Sequence, residues 1–199
     1  MTQLQLARQN IITQEMKHVA MDEDLDPEYI RERIADGKVV IPANHKRKAT
    51  KICGIGAGLR TKVNANIGTS ADYPDVENEM EKLRAAEEAG ADAVMDLSTG
   101  GDLRAIRKKI IGSASIAVGS VPIYEAAVKT VQHKHAIVDM TATDMLEAIR
   151  LHCEDGVDFI TVHCGATKGV LKHLKESKRI CGVVSRGGTF LVEWMIHSG

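Results

Sequence analysis

The residues best placed to do chemistry stand where strand patterns run out. They are Asn66, Met95 with Asp96 and Ser98, Tyr124 just beyond Pro122, His163, and the run Ser185-Arg186-Gly187-Gly188-Thr189. In parallel α/β arrays, side chains at the C-terminal ends of strands build the site. Amide, phenol, imidazole and guanidinium together make a polar pocket suited to a small anionic, heteroaromatic ligand. Ser185 to Thr189 is the best local signal. A strand pattern ends in Ser-Arg, two glycines allow close backbone approach, and Thr189 opens a helix. Free N–H groups at that terminus, with Arg186, make a cradle for phosphate or carboxylate.

Each of these residues also has an ordinary structural use. Asn66 can bond its own turn, Met95 can fill core space, and His163 can serve as a structural donor. Asp96 can cap a turn as readily as act as a base. His133-Lys134-His135 offers two imidazoles but no third ligand on a common element, so an exposed loop is expected there. The basic run His45-Lys46-Arg47-Lys48 reads as a solvated loop rather than a phosphate contact. No Ser-His-Asp or Cys-His arrangement follows from the spacing. On residues alone the reading stops at an anion-binding α/β enzyme fragment.

The elements that must position these groups begin at Arg60. Val63, Ala65 and Ile67 alternate with polar neighbours, the period of a strand, and Gly68 closes it. A helix is expected from about Pro74 to Ala89, stopped by Gly90, then a strand over Ala93–Ser98. A helix around Leu103–Ile111 leads to a third strand, Ile116–Pro122, and another helix starts near Ile123. Ala136–Met140 reads as a short extra strand. Thr141 and Asp144 form a capping box that opens a helix with Met145, Leu146, Ile149 and Cys153 on its buried face. A fourth strand is expected over Phe159–Cys164, a short helix over Val170–Lys175, a fifth strand over Ile180–Ser185, and a last helix over Thr189–His197. Glu88-Ala89-Gly90-Ala91-Asp92-Ala93-Val94 matches Glu154-Asp155-Gly156-Val157-Asp158-Phe159-Ile160, a helix end, a glycine stop and an aspartate leading into a buried strand.

Strands alternating with helices imply a parallel sheet with right-handed crossovers. Gly54-Ile55-Gly56-Ala57-Gly58 precedes the first strand rather than following it, which counts against a nucleotide-binding open sheet. Two α/β candidates stand, an open doubly wound sheet and a (β/α)8 barrel. If it is a barrel, the patterns supply about five βα units where closure needs eight, usually in ~250 residues. Residues 1–59 read as an N-terminal extension and 60–199 as the α/β array, which would then be only the front part of the barrel. Within the extension, Thr13 starts a short helix, Asp26-Pro27 starts a better one that Gly37 stops, and Val39–Pro42 is a short strand.

Composition bounds the function. Apolar and charged fractions of 44% and 27% are those of an ordinary globular protein. A net charge of -1 argues against a dedicated nucleic-acid surface. No apolar run approaches the ~20 residues that span a bilayer, and the polar start does not resemble a secretory signal. Cys53, Cys153, Cys164 and Cys181 lie far apart with no C-x-x-C pair, which suits a reducing cytoplasm and gives no support to a cluster held by these cysteines.

Taken together, the strand-end residues and their flanks resemble the phosphomethylpyrimidine synthase family of thiamine biosynthesis. The resemblance runs through Ala7-Arg8-Gln9, Ile12-Thr13, Ile41-Pro42-Ala43-Asn44 and Lys62-Val63-Asn64-Ala65-Asn66-Ile67-Gly68. It continues through Val94-Met95-Asp96-Leu97-Ser98-Thr99-Gly100-Gly101, Gly119-Ser120-Val121-Pro122-Ile123-Tyr124, Gly156-Val157-Asp158-Phe159 and Val184-Ser185-Arg186-Gly187-Gly188, spanning essentially the whole chain. It implies a carbon–carbon lyase of the radical S-adenosylmethionine type on a barrel that follows an N-terminal domain. In that family a 5′-deoxyadenosyl radical rearranges 5-aminoimidazole ribotide into 4-amino-5-hydroxymethyl-2-methylpyrimidine phosphate. Carried over by motif, Asn66, Met95, Tyr124, His163, Ser185, Arg186 and Gly187 would line the ribotide pocket.

The implied cofactors are S-adenosylmethionine, a [4Fe–4S] cluster and a divalent metal such as zinc, in a cytoplasmic homodimer. In the family, an Asp-Gly-Leu-Arg segment, a glutamate, two metal-binding histidines and a C-terminal cysteine motif come later in the chain. None is present in this sequence, so the expectation is a truncated form that binds part of the ribotide and generates no radical. Two alternatives stay open. 5-Hydroxybenzimidazole synthase of anaerobic cobamide synthesis starts from the same ribotide with the same fold and cofactor. A non-catalytic binding or assembly module, pairing its open sheet edge with another chain, is the alternative of a different class.

Overall fold

The computed structural model describes residues 1–47, 51–134 and 136–197. The N-terminal segment opens with three short helices, each capped by a side-chain oxygen that accepts a backbone N–H of the first turn. Thr2 caps α1 (Gln3–Arg8), Thr13 caps α2 (Gln14–Asp22) and Asp26 caps α3 (Pro27–Ala35). Of these, α1 had no counterpart in the sequence reading. Met16, Val19, Ile30, Ile34 and Val39 close on one another as a core separate from that of the main sheet. β1 (Val39–Val40) pairs antiparallel with β2 (Ile55–Gly56). A Cβ on Gly56 would lie 2.1 Å from the Lys38 carbonyl oxygen, so this ribbon requires glycine there.

The rest of the chain alternates strand and helix. β3 (Asn64–Ile67), α4 (Val76–Glu88), β4 (Ala93–Asp96), α5 (Leu103–Ser113), β5 (Ala117–Ser120) and α6 (Pro122–Lys134) follow in turn. A 3-10 turn at Ile137–Asp139, then α7 (Ala142–Asp155), β6 (Phe159–Ile160), α8 (Lys168–Glu176) and α9 (Arg186–His197) complete it. β3 to β6 form one sheet in sequence order, with every neighbouring pair parallel. Val94 and Val118 turn one sheet face onto Leu83 of α4 and Ile106 and Ile110 of α5. Because side chains alternate along a strand, the row Asn66, Met95, Gly119, Phe159, in register across all four strands, faces the other way.

The two matching glycine–aspartate segments do the same job. Asp92 accepts the N–H of Val63 at 2.8 Å and pairs with Arg60 at 2.5 Å. Asp158 accepts the N–H of Val118 at 2.8 Å and pairs with Arg47. Each aspartate thus ties the lower end of its strand to the strand before it and to an arginine from the preceding chain. Arg47 also donates to the carbonyl oxygens of Ile111, Ala114 and Ile116. Lys46 donates to the Glu154 carbonyl at 3.2 Å. The basic run is therefore a clasp across the base of the sheet rather than a solvated loop, while Lys48 lies outside the described residues.

Several expectations are corrected. Among the described residues the main sheet, open as a partial set of strands must be, has four strands rather than the five expected. The expected fifth strand over Ile180–Ser185 is irregular chain with Ile180 fully exposed. A strand exists through the hydrogen bonds of its neighbour, and β6 offers only Phe159 and Ile160, far short of the expected Phe159–Cys164. The strand expected over Ala136–Met140 is the 3-10 turn, whose Met140 carbonyl accepts the Trp194 indole N–H. The capping box of α7 is present, but its buried residues are Ala148 and His152, while Leu146 and Cys153 are exposed. A polar assembly behind the sheet draws that other stripe inward.

Candidate functional site

The site is built on two supports. The first is the sheet row that carries Asn66 and Met95. Asn66 stands exposed near the end of β3, and its neighbour Met95 is buried. Gly119 is the next position in the row, and a Cβ there would come 2.4 Å from the Phe159 ring, so the glycine makes room for that ring. The Thr161 hydroxyl approaches Met95 Sδ at 4.0 Å, which connects β4 to the chain leaving β6. Upper ends of β3 and β4 are fastened together: Thr69 donates its N–H to Ser98 Oγ and its hydroxyl to the Gly100 carbonyl, and buried Glu79 of α4 accepts the Gly68 N–H at 2.6 Å.

The second support is the start of α9. Ser185 caps it: Oγ accepts the Gly188 N–H at 3.2 Å and its carbonyl accepts the Thr189 N–H at 2.8 Å. The helix therefore begins at Arg186, not at Thr189 as the sequence suggested. His163 Nε2 lies 3.0 Å from Ser185 Oγ, and its Nδ1 is buried without a partner among the described residues. Gly187 packs flat against that imidazole, where a Cβ would sit 2.3 Å from Cε1. Arg186 lays its guanidinium over the Tyr124 ring, 5.3 Å from the centroid, a cation–π contact. Phe190, one turn on, meets the same ring edge-on at 6.1 Å and 71°.

Tyr124, His163, Ser185, Arg186 and Gly187 are thus gathered at the start of α9, while Asn66 and Met95 share the sheet row. Sequence reasoning missed Phe190, Thr161 and Gly119, whose roles depend on residues far along the chain. Exposed Arg186 with Ser185 and a helix start gives a place for an anion.

Asp96 and Ser98 belong to a different environment. Asp96 is buried on the helix side of the sheet, its Oδ1 accepting the Ser98 N–H at 2.9 Å. Burial pushes its carboxyl above the usual range, against the pull of the Ser98 hydrogen bonds. Next to it in register, Ser120 Oγ lies 2.8 Å from His152 Nδ1, and His152 Nε2 lies 2.8 Å from Glu125 Oε2. Arg107 reaches Glu125 at 2.6 Å and Asp155 at 2.6 Å, with all three side chains buried. Burial works to raise the Glu125 pKa, but hydrogen bonds from His152 and Lys129 with the nearby Arg107 hold it well below the carboxylate range. Asp155 is likewise held low, Arg104 and Arg107 overcoming its burial. The readable signal was a charged residue inside an apolar stripe, Leu103-Ile106-Arg107-Ile110.

The described residues offer no ligand set for an iron–sulfur cluster or a divalent metal. Cys53 is buried beside Asp92, Cys153, Cys164 and Cys181 are exposed, and all four are free thiols. Among the described residues no three His, Cys, Asp or Glu side chains converge as a metal would need. His133 is exposed near the end of α6, and His135 lies outside the described residues. Among the described residues, no helix is long and apolar enough to cross a membrane.

Comparison with known proteins adds to this geometry. Residues 2–199 match the model of the Radical SAM ThiC family. The chain is 52% identical over 199 residues to the phosphomethylpyrimidine synthase of Desulforamulus reducens, covering 100% of this chain and 46% of that protein. It is 53% identical over 199 residues to the phosphomethylpyrimidine synthase of Dehalococcoides mccartyi strain CBDB1, with the same two coverages. Against that of Geobacter metallireducens the identity is 54% over 198 residues, covering 99% of this chain and 45% of the relative. The chain spans about half the length of the curated relatives it matches.

Proposed function

The chain belongs to the Radical SAM ThiC family, and from that premise we propose that it provides the ribotide-binding part of a phosphomethylpyrimidine synthase in thiamine biosynthesis. The substrate is 5-aminoimidazole ribotide and the product 4-amino-5-hydroxymethyl-2-methylpyrimidine phosphate, formed by a lyase reaction that uses S-adenosylmethionine and a [4Fe–4S] cluster. Asn66, Met95, Tyr124, His163, Ser185, Arg186 and Gly187 line the ribotide site. The observation that carries this reading is Arg186 stacked over Tyr124 at the capped start of α9, with His163 on Ser185. Arg186 and the helix start receive the phosphate, and the Tyr124 face accompanies the imidazole ring. No cluster or metal ligand is assigned to this chain.

Calorimetry with the ribotide tests the proposal. Saturable binding is expected, weakened about 10- to 100-fold by Arg186→Ala, the value of a hydrogen bond to a charged group. Equal binding by the variant would remove Arg186 from the site, and no binding by the parent chain would refute the reading for these residues. The same reading expects a homodimer, which sedimentation checks directly.

A further inference from the structure

Behind the sheet, on the side away from Asn66 and Met95, lies a buried polar assembly that the ribotide reading does not use. His152 of α7 is its hub. His152 Nε2 lies 2.8 Å from Glu125 Oε2 and 3.0 Å from Arg107 Nη1, and its Nδ1 lies 2.8 Å from the Ser120 hydroxyl. Glu125 Oε2 also receives Arg107 Nη1 at 2.6 Å, and Oε1 faces Lys129 Nζ at 2.6 Å. Burying so many charges gives little net stability compared with apolar packing, and the best-attested use of such groups is to fix one arrangement among several.

What is fixed here is the junction between β5 and α6. Ser120 is the last residue of β5, Pro122 is the first of α6, and Glu125 lies in that helix's first turn. One imidazole holds both sides of the junction. Tyr124 lies between these two anchors, so its direction is set by the rotation of α6. A turn of the helix by ~20° would sweep a side chain about 5–6 Å from the axis through about 2 Å. That is enough to take the Tyr124 ring out of the ~6 Å range of a cation–π contact with Arg186.

We propose that Ser120, His152 and Glu125 are positioning residues, which lock the first turn of α6 so that Tyr124 stands beneath Arg186. This rests on the ribotide reading above. The test has two arms. Nitrogen-15 NMR of the Arg186 Nε–H reads the ring-current shift from Tyr124, with Tyr124→Leu defining its absence. Calorimetry reads ribotide affinity. Glu125→Ala loses the ring-current shift and binds ribotide about tenfold more weakly. Glu125→Gln, which keeps an acceptor for His152, restores both. Ser120→Ala, a milder cut that tolerates folding better, loses part of the shift. Ile110→Val, a core cut on the same face with a loss of stability comparable to that of Ser120→Ala, leaves both unchanged.

The proposal is overturned if Glu125→Ala and Ser120→Ala keep the parent shift, or if Ile110→Val loses as much as they do. If the parent chain shows the shift but binds no ribotide, the ribotide reading fails while the shift arm still decides the positioning role.

Discussion

Alanine at position 187 would put a methyl carbon 2.3 Å from Cε1 of His163, with both ring nitrogens within 2.9 Å. No real contact is that close, so the imidazole must swing away, and its bond to Ser185 Oγ at 3.0 Å breaks. The lost hydrogen bond costs about 1 kcal/mol, and forcing a half-buried ring off its place costs about 1–3 kcal/mol more. Against this, alanine gains up to about 1 kcal/mol over glycine inside a helix. The net is a loss of about 1–3 kcal/mol with His163 displaced from the start of α9. Gly112→Ala is the matched control, because nothing lies within 4 Å of its added Cβ in α5. Urea unfolding should show Gly112→Ala more stable than the parent by about 0.5–1 kcal/mol and Gly187→Ala less stable. Ribotide titration should show at least a tenfold loss for Gly187→Ala alone. If Gly187→Ala is as stable as Gly112→Ala and binds like the parent, the packing of His163 on α9 has been misread.

Removing the buried cation with Arg107→Met takes one partner from both Glu125 and Asp155, which keep Lys129 and Arg104, and should cost about 3 kcal/mol by denaturant unfolding, the low end for breaking a buried pair. Of the two strand-base aspartates, Asp158→Ala should cost more, about 3–5 kcal/mol, because Arg47 and Asp158 are both buried. Asp92→Ala should cost about 1–2 kcal/mol, since Arg60 is half exposed and the pair is screened; equal losses would contradict this account. Glu125 and Asp155 have folded pKa values below their unfolded ones. Their stabilisation is present above about pH 4.5 and drains away as pH falls, so acid unfolding should be steep and should flatten in Glu125→Gln. Asp96 runs the other way: its folded pKa is raised, so ionising it costs stability as pH rises above about 4. Asp96→Asn should therefore gain on the parent between pH 4.5 and 7.5 in paired urea titrations, and a loss at neutral pH would refute the assignment.

Much of the fold was legible because its signals are local. The Thr13, Asp26 and Thr141 caps, the glycine stop after α7 and the apolar stripes of α4 and α5 act within a turn or two of themselves. The repeat around Asp92 and Asp158 was visible as a match, and the structure supplies its cause in two identical backbone-and-arginine ties. Of the candidate site residues, Asn66 and Met95 stand on strands as read, whereas Ser185 and Arg186 stand at a helix start with no strand before them and His163 lies beyond the short β6. How those residues meet was not legible. Nothing near Tyr124 in sequence points to Arg186 or Phe190.

By itself, then, the sequence determined element order, parallel topology and the residue types at the strand ends, since period, caps and stops depend on near neighbours. Tertiary structure alone decided the rest. Whether 180–185 becomes a strand depends on a partner's free hydrogen bonds, and β6 is too short to give them. Which face of α7 turns inward depends on Arg107 and Glu125 from two other helices, whose charges draw His152 in and leave Leu146 outside. Buried charge must find its counter-charge wherever the chain brings one, and that search is not confined to neighbours in sequence.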